Sequence, residues 1–267
     1  MHYFVFSIIG IATGFLMAIF GIGGGAFIVP ALDVAFLIVP NLSHPPFQLI
    51  VIGSLCTIVI GSLPRAIKVV SGHQSERTTA TILILNALPF ILLGSFLATQ
   101  LTDNILRLGF SVTIAAIGIW TLIGKSPTIK NSESIQKYSP CKLVVVGAIS
   151  GISSALFGLG GATLLMPLLT MWVGLPISLC VDISILFVSV TSIVSLVTLS
   201  SAWIGVHGAN SITPEIITLI LILGISAAIT QIIAAGKLVK MNNQLRQKLL
   251  GGYLIILSLW VIARALI

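Results

Sequence analysis

Between Met1 and Pro64 there is one charged side chain, Asp33, and between Leu143 and Gly236 there are two, Asp182 and Glu215. A soluble domain carries roughly a quarter charged residues. Here 57% of residues are hydrophobic and 7% charged, which excludes an ordinary water-soluble fold. Spanning helices of about 20 apolar residues with short connections use up a chain of this length. No room is left for a separate soluble domain.

Apolar runs bounded by Gly, Pro and charge predict ten segments, at Phe4–Phe20, Ala26–Val39, Phe47–Val70, Thr79–Thr99, Ile105–Ile123, Leu143–Phe157, Ala162–Val173, Ile177–Ser200, Pro214–Ala235 and Leu249–Ile267. The start, MHYFVFSIIG, lacks the basic region of a cleavable signal and reads as part of the first segment. Ala26–Val39 and Ala162–Val173 are short for a hydrocarbon core of about 30 Å, and read as re-entrant or half-helices. If the segments alternate, eleven of the thirteen basic residues fall on one side, and Arg107 and Arg264 alone on the other. The positive-inside rule makes the crowded side cytoplasmic and puts both termini outside, periplasmic in a bacterial inner membrane. Treating a pair of crossings as one hairpin leaves that assignment unchanged. The formal charge of +7 therefore serves orientation, and no nucleic-acid partner is expected. Cys56, Cys141 and Cys180 are odd in number and far apart, so neither a disulfide framework nor a metal site follows.

The segment FGIGGGAFIVPAL, from Phe20 to Leu32, returns as FGLGGATLLMPLL, from Phe157 to Leu169, 137 residues later. Gly53-Ser54 and Gly61-Ser62 in the first half are matched by Ile183-Ser184 and Thr191-Ser192 in the second, and Trp120 and Trp260 close the halves. Five segments per half is an odd number, so the halves enter the membrane in opposite senses. The expected architecture is an all-α membrane protein of about ten transmembrane or half-spanning helices in two inverted five-helix repeats. Such repeats are common among secondary transporters. The first repeat is 1–124, the second 142–267, and 125–141, rich in Ser, Pro and Lys, is a cytoplasmic linker.

Glycine clusters interrupt each short segment just before it begins: Gly21, Gly23, Gly24 and Gly25 in the first half, Gly158, Gly160 and Gly161 in the second. Backbone without side chains admits a ligand closely, and the free N–H groups of a following helix favour an anion. Close packing through small residues is the competing role. Pro30 and Pro167 stand in equivalent places and are expected to kink or end the short helices. The hydroxyls of Ser54, Thr57, Ser184 and Ser192 recur near one helical face, where they can hold a polar solute without charge or bond to a carbonyl one turn back. Asp33 and Asp182 are acids within apolar segments, where ionisable groups are costly and usually functional, so a coupling role is considered for both. His44, His73 and His207 fall in loops. Motifs of metalloproteases, serine hydrolases, thiol oxidoreductases and nucleotide-binding loops are missing, and neither catalysis nor a cofactor is expected.

With its paired glycine motifs, the hydroxyl pairs after them and the basic central loop, the chain resembles the TauE/SafE family of sulfite and sulfonate exporters over nearly its full length. Where that family often shows Thr-Ser after the glycine motif, this chain has Gly53-Ser54 and Ile183-Ser184. The resemblance implies export of a small sulfur-containing anion, sulfite or an organosulfonate, with the lipid bilayer as the other partner and a homo-oligomer left open. Alternatives are a passive small-anion channel and a non-transporting membrane assembly factor.

Overall fold

The computed structural model describes residues 2–20, 24–38, 45–70, 74–123, 140–175, 177–208, 214–235 and 243–266. All ten expected segments are helices: α1 His2–Phe20, α2 Gly25–Ile38, α3 Phe47–Val70, α4 Gln74–Gln100, α5 Asp103–Ile123, α6 Pro140–Phe157, α7 Ala162–Pro167, α8 Ile177–His207, α9 Pro214–Ala235 and α10 Asn243–Leu266. No strand occurs among the described residues. Among the described residues, six helices are long and apolar enough to cross a membrane, while α2 and α6 are shorter apolar helices. The protein is an all-α, multi-pass membrane protein. The expected linker at 125–141 lies almost wholly outside the described residues. Helix α8 runs past Ser200 to His207, so His207 closes a helix rather than lying in a loop, and its ring stacks on Trp203 with centroids 3.7 Å apart.

The outer surface is apolar and the interior carries the hydroxyls, as lipid demands. Phe4, Phe96, Ile233 and Ile256 point outward, whereas Ser54, Ser111, Ser150, Ser154, Thr191, Ser192 and Ser195 are fully buried or nearly so. Lipid tails offer no hydrophobic drive between helices, so association rests on close packing through small residues. Two pairs of glycines supply it. Gly10 and Gly14 of α1 lie against Leu223, Ser226 and Ala227 of α9, and Gly147 and Gly151 of α6 against Leu83 and Ala87 of α4. Each of these later glycines also follows its earlier counterpart by 137 residues, so the repeat begins well before Phe20. Gly118 of α5 and Gly251 of α10 face one another.

These contacts fix the helix directions. Along α1 and α9 the partners rise together, from Gly10 beside Leu223 to Gly14 beside Ala227, and along α6 and α4 likewise, so both pairs are parallel. Helices α3, α4 and α5 alternate through short connections, and α10 runs antiparallel to α5, sharing ends at Arg107 and Arg264. Helix α6 therefore enters from the end of the bundle opposite to the start of α1. Phe6, early in α1, meets Phe36, late in α2, edge to face at 5.1 Å. Lys142, early in α6, donates to the carbonyl of Trp172 at 3.3 Å. Thus α1–α2 and α6–α7 are hairpins that open toward opposite ends of the bundle.

Candidate solute site between two helical hairpins

The hairpin tips meet. A methyl group added at Gly25 would run into the carbonyl oxygen of Gly158 and the Cα of Leu159, so the backbone of the first turn rests directly on that of the second. The meeting point lies near the middle of the long helices. Gly160 sits against Ile58, halfway along α3, and a methyl group there would come 3.0 Å from Ser192 Oγ, halfway along α8. Ser54 Oγ donates to the carbonyl of Gly158 at 2.8 Å, and Thr191 Oγ1 reaches that of Gly160 at 3.3 Å.

In the second turn glycine is dictated by the backbone. Gly158, Gly160 and Gly161 have φ of 65°, 64° and 78°, a region that side chains with a Cβ rarely enter. A methyl at Gly161 would also approach the Phe187 ring at 2.7 Å and the Ser150 carbonyl at 3.1 Å. The first turn is different where it is described. Gly24 and Gly25 show no positive φ, and the carbonyl of Gly24 accepts from Phe27 and Ile28 at 3.0 and 2.9 Å to start α2. Gly21 and Gly23 lie outside the described residues.

The two prolines sit where the repeat places them and differ in outcome. Pro30 is the sixth residue of α2 and the helix continues through it. Pro167 is the sixth residue of α7, and from Leu168 to Val173 the chain winds as a π-helix. A proline removes one N–H from the helical ladder, and a π-turn is a recurrent way of absorbing such a defect near functional sites.

On α7, which follows the second turn, and on α6 and α8, which pack against it, stand hydroxyls without partners. Ser150, Thr163, Ser184 and Ser192 are buried, and their oxygens meet no hydrogen-bond partner among the described residues. Buried polar groups are ordinarily bonded. An unmet one costs about 1–3 kcal/mol. Their neighbours are satisfied within the protein: Ser154 and Ser195 pair at 3.1 Å, and Thr57 Oγ1 donates back to the carbonyl of Gly53 at 3.0 Å. Of the hydroxyls singled out from sequence, the structure brings Ser54 and Ser192 onto the second turn and leaves Thr57 bonded to its own helix. Ser184 lies one turn before Phe187 on α8.

The two acids separate. Asp182 is half-buried on α8. Asp33 is 2% exposed and accepts from Arg107 Nη1 at 2.8 Å and Arg264 Nη1 at 2.6 Å. The charges of α2, α5 and α10 thus meet at the end where the α1–α2 hairpin opens. Sequence reasoning missed this cluster. Arg107 and Arg264 had stood out only as the two basic residues off the crowded side, and Asp33 only as an isolated acid. No group of three or more His, Cys, Asp or Glu suited to a metal occurs among the described residues.

Ten helices, six of them long and apolar enough among the described residues to cross a membrane, with two hairpins set tip to tip, make a multi-pass membrane protein with the build of a transporter. The chain belongs to the Sulfite exporter TauE/SafE family, whose family model matches residues 6–261. It is 30% identical over 201 residues to a "Probable membrane transporter protein" of Methanocaldococcus jannaschii, covering 73% of this chain and 71% of the relative. Two proteins of Haemophilus influenzae with that same description are 28% and 27% identical over 169 and 165 residues. Those alignments cover 62% and 61% of this chain, and 60% and 61% of the relatives. No solved structure matches.

Proposed function

We propose that the chain exports a small anion, sulfite or an organosulfonate, across a bacterial inner membrane, and that the anion is held where the hairpin tips meet. The observation that carries this reading is the set of four buried, unpartnered hydroxyls on α6, α7 and α8, beside a turn whose positive φ values favour glycine. Neutral donors held in a low-dielectric site suit a small oxyanion, because each gives a hydrogen bond without fixing the solute by opposite charge. In this reading Gly158, Gly160, Gly161, Ser184 and Ser192 contact the solute, with Gly24 and Gly25 opposing them. Ser54 holds the second turn in place. Asp182 and Asp33 are the candidates for coupling.

An inverted repeat is the natural frame for such a site. Exchanging each helix for the one five places on turns the α1–α9 packing into α6–α4 and maps the α5–α10 and α3–α8 contacts onto themselves. Helices α1 and α6 enter from opposite ends, and this supports inversion over simple duplication. Both termini are then outside, and the basic loops after α3, α5 and α9 are cytoplasmic. An inside-negative potential of about 100 mV contributes roughly 2.3 kcal/mol per anionic charge expelled, so export needs no ATPase. The closed contact between Gly25 and the 158–159 backbone favours alternating access over a standing pore.

Counterflow in liposomes tests this reading. Vesicles loaded with unlabelled sulfite are expected to accumulate external radiolabelled sulfite transiently above equilibrium. Equilibration without overshoot would indicate a channel, and no flux for sulfite or taurine would remove the substrate assignment.

A further inference from the structure

The Asp33 cluster is not needed for the solute site at the hairpin tips, yet it gathers charge in one place. Two guanidinium groups hold the two oxygens of one carboxylate, so both arginines are within reach of a single small anion. Each contributes only Nη1 to Asp33, Arg264 reaching its carbonyl as well at 3.5 Å. A guanidinium carries five N–H donors in a planar fork. One face of each is taken by an aromatic ring: Phe47 lies 5.2 Å from Arg107 Cζ and Trp260 5.9 Å from Arg264 Cζ. These are cation–π contacts, and they leave most of each fork's N–H groups for a ligand.

The nearest further acid on these elements is Asp103, one turn before Arg107 on α5. Its Oδ2 accepts from the Phe47 N–H at 3.1 Å, which ties down the start of α3. Among the described residues, Asp33 is the sole carboxylate paired with either arginine. Burial differs between the two cations: the Arg107 side chain is 8% exposed and that of Arg264 21%. Arg264 is therefore the more accessible of the two.

We infer that Arg107 and Arg264 form a second anion station at the end of the bundle where the α1–α2 hairpin opens, with Asp33 as the resident anion that a departing oxyanion displaces. Bidentate recognition of oxyanions is what a guanidinium fork does well. The inference rests on the export reading for its role, since a solute released from the hairpin tips would meet these two arginines before leaving. Binding itself requires only the cluster.

Trp260, whose ring centre lies 5.9 Å from Arg264 Cζ, reports on this station directly. In the full chain with Trp120, Trp172 and Trp203 changed to Phe, titration with sulfite, and separately with sulfate, is expected to change Trp260 emission saturably. Arg264→Gln and Arg107→Gln are expected to weaken the response at least tenfold. Asp33→Asn removes the competing anion and is expected to tighten it at least threefold. Should the Gln variants fail to fold, Arg264→Lys keeps the charge without the fork and is still expected to weaken binding severalfold. Ser192→Ala is expected to lower transport and leave the Trp260 titration unchanged, which separates this station from the site at the tips. A folded protein with no saturable response, or a response undiminished in the folded Arg264 variants, would overturn the station whatever the transport result. An Asp33→Asn protein that melts lower and binds no tighter would make the cluster a helix tie alone.

Discussion

At the scale of single residues, a solute site at the second turn would set stability and binding against each other. A buried hydroxyl without a partner destabilises the solute-free protein, so removing it is expected to do no harm to folding. Ser192→Ala and Ser184→Ala should therefore melt at or slightly above the parent temperature. If the hydroxyls hold the solute, both variants should bind sulfite at least tenfold more weakly, about 1.4 kcal/mol. Thermal melting with and without ligand measures both quantities in one experiment. Normal binding in both variants would place the solute elsewhere. The glycines behave otherwise, and here equal treatment of the two halves breaks down. Gly161 has φ of 78° and a methyl group there would press on Phe187, so Gly161→Ala should lose about 1–3 kcal/mol of stability through strain alone. At Gly24 the added methyl meets the flexible end of Met17 and the Ile28 side chain, and φ is not positive. Gly24→Ala should thus keep its melting temperature far better than Gly161→Ala. Equal melting of the two would show that side-chain crowding, not backbone conformation, governs these turns.

Among helices, the question is what the repeat is for. Positions of the elements were legible in the sequence because lipid imposes a simple rule, a long run of apolar residues ended by charge, Gly or Pro. Helices α3 and α9 occur where they were expected, Phe47–Val70 and Pro214–Ala235. Pairing was not legible to the same degree. Arg107 and Arg264 lie 74 and 231 residues from Asp33 along the chain, and composition or periodicity cannot join residues so distant. The glycine pairs were open to discovery: Gly10, Gly14, Gly147 and Gly151 obey the 137-residue offset, and their spacing of four marks a helix-packing face. Helix α1 meets α9 through the first pair, and α6 meets α4 through the second. Leucine at Gly14 would have to displace the Ala227 backbone, and leucine at Gly151 the Ala87 backbone. Overpacking of this kind usually costs about 1–3 kcal/mol, and a clash with backbone sits at the upper end. Gly14→Leu and Gly151→Leu should lower the melting temperature by similar amounts. Gly252→Leu, with nothing within 4 Å of the added carbon, should change it little. Unequal losses at Gly14 and Gly151 would argue that the two interfaces are not equivalent.

For the molecule as a whole, orientation follows from charge, and the protein carries its own probe of it. Cys141 is exposed at the start of α6, whereas Cys56 is half-buried and Cys180 buried. Beside Cys141, Lys142 reaches the carbonyl of Trp172, so the opening of the α6–α7 hairpin and the first turn of α6 share one end of the bundle. Eleven of thirteen basic residues belong to that side if the helices alternate, and each basic residue near the ends of short loops biases it toward the cytoplasm. The Asp33 cluster lies at the opposite end, and on the export reading it would offer a departing anion two arginines where the basic loops are absent. A membrane-impermeant maleimide added to intact cells is therefore expected to leave the unmodified protein unlabelled. Inside-out vesicles, which turn the cytoplasmic face outward, should label Cys141 readily. In a Cys141→Ser background, His207→Cys at the exposed end of α8 should show the reverse pattern, reacting in cells. If Cys141 reacts in intact cells while the His207→Cys variant does not, the orientation is inverted, and the arginine pair would then face the cytoplasm and receive the anion on entry.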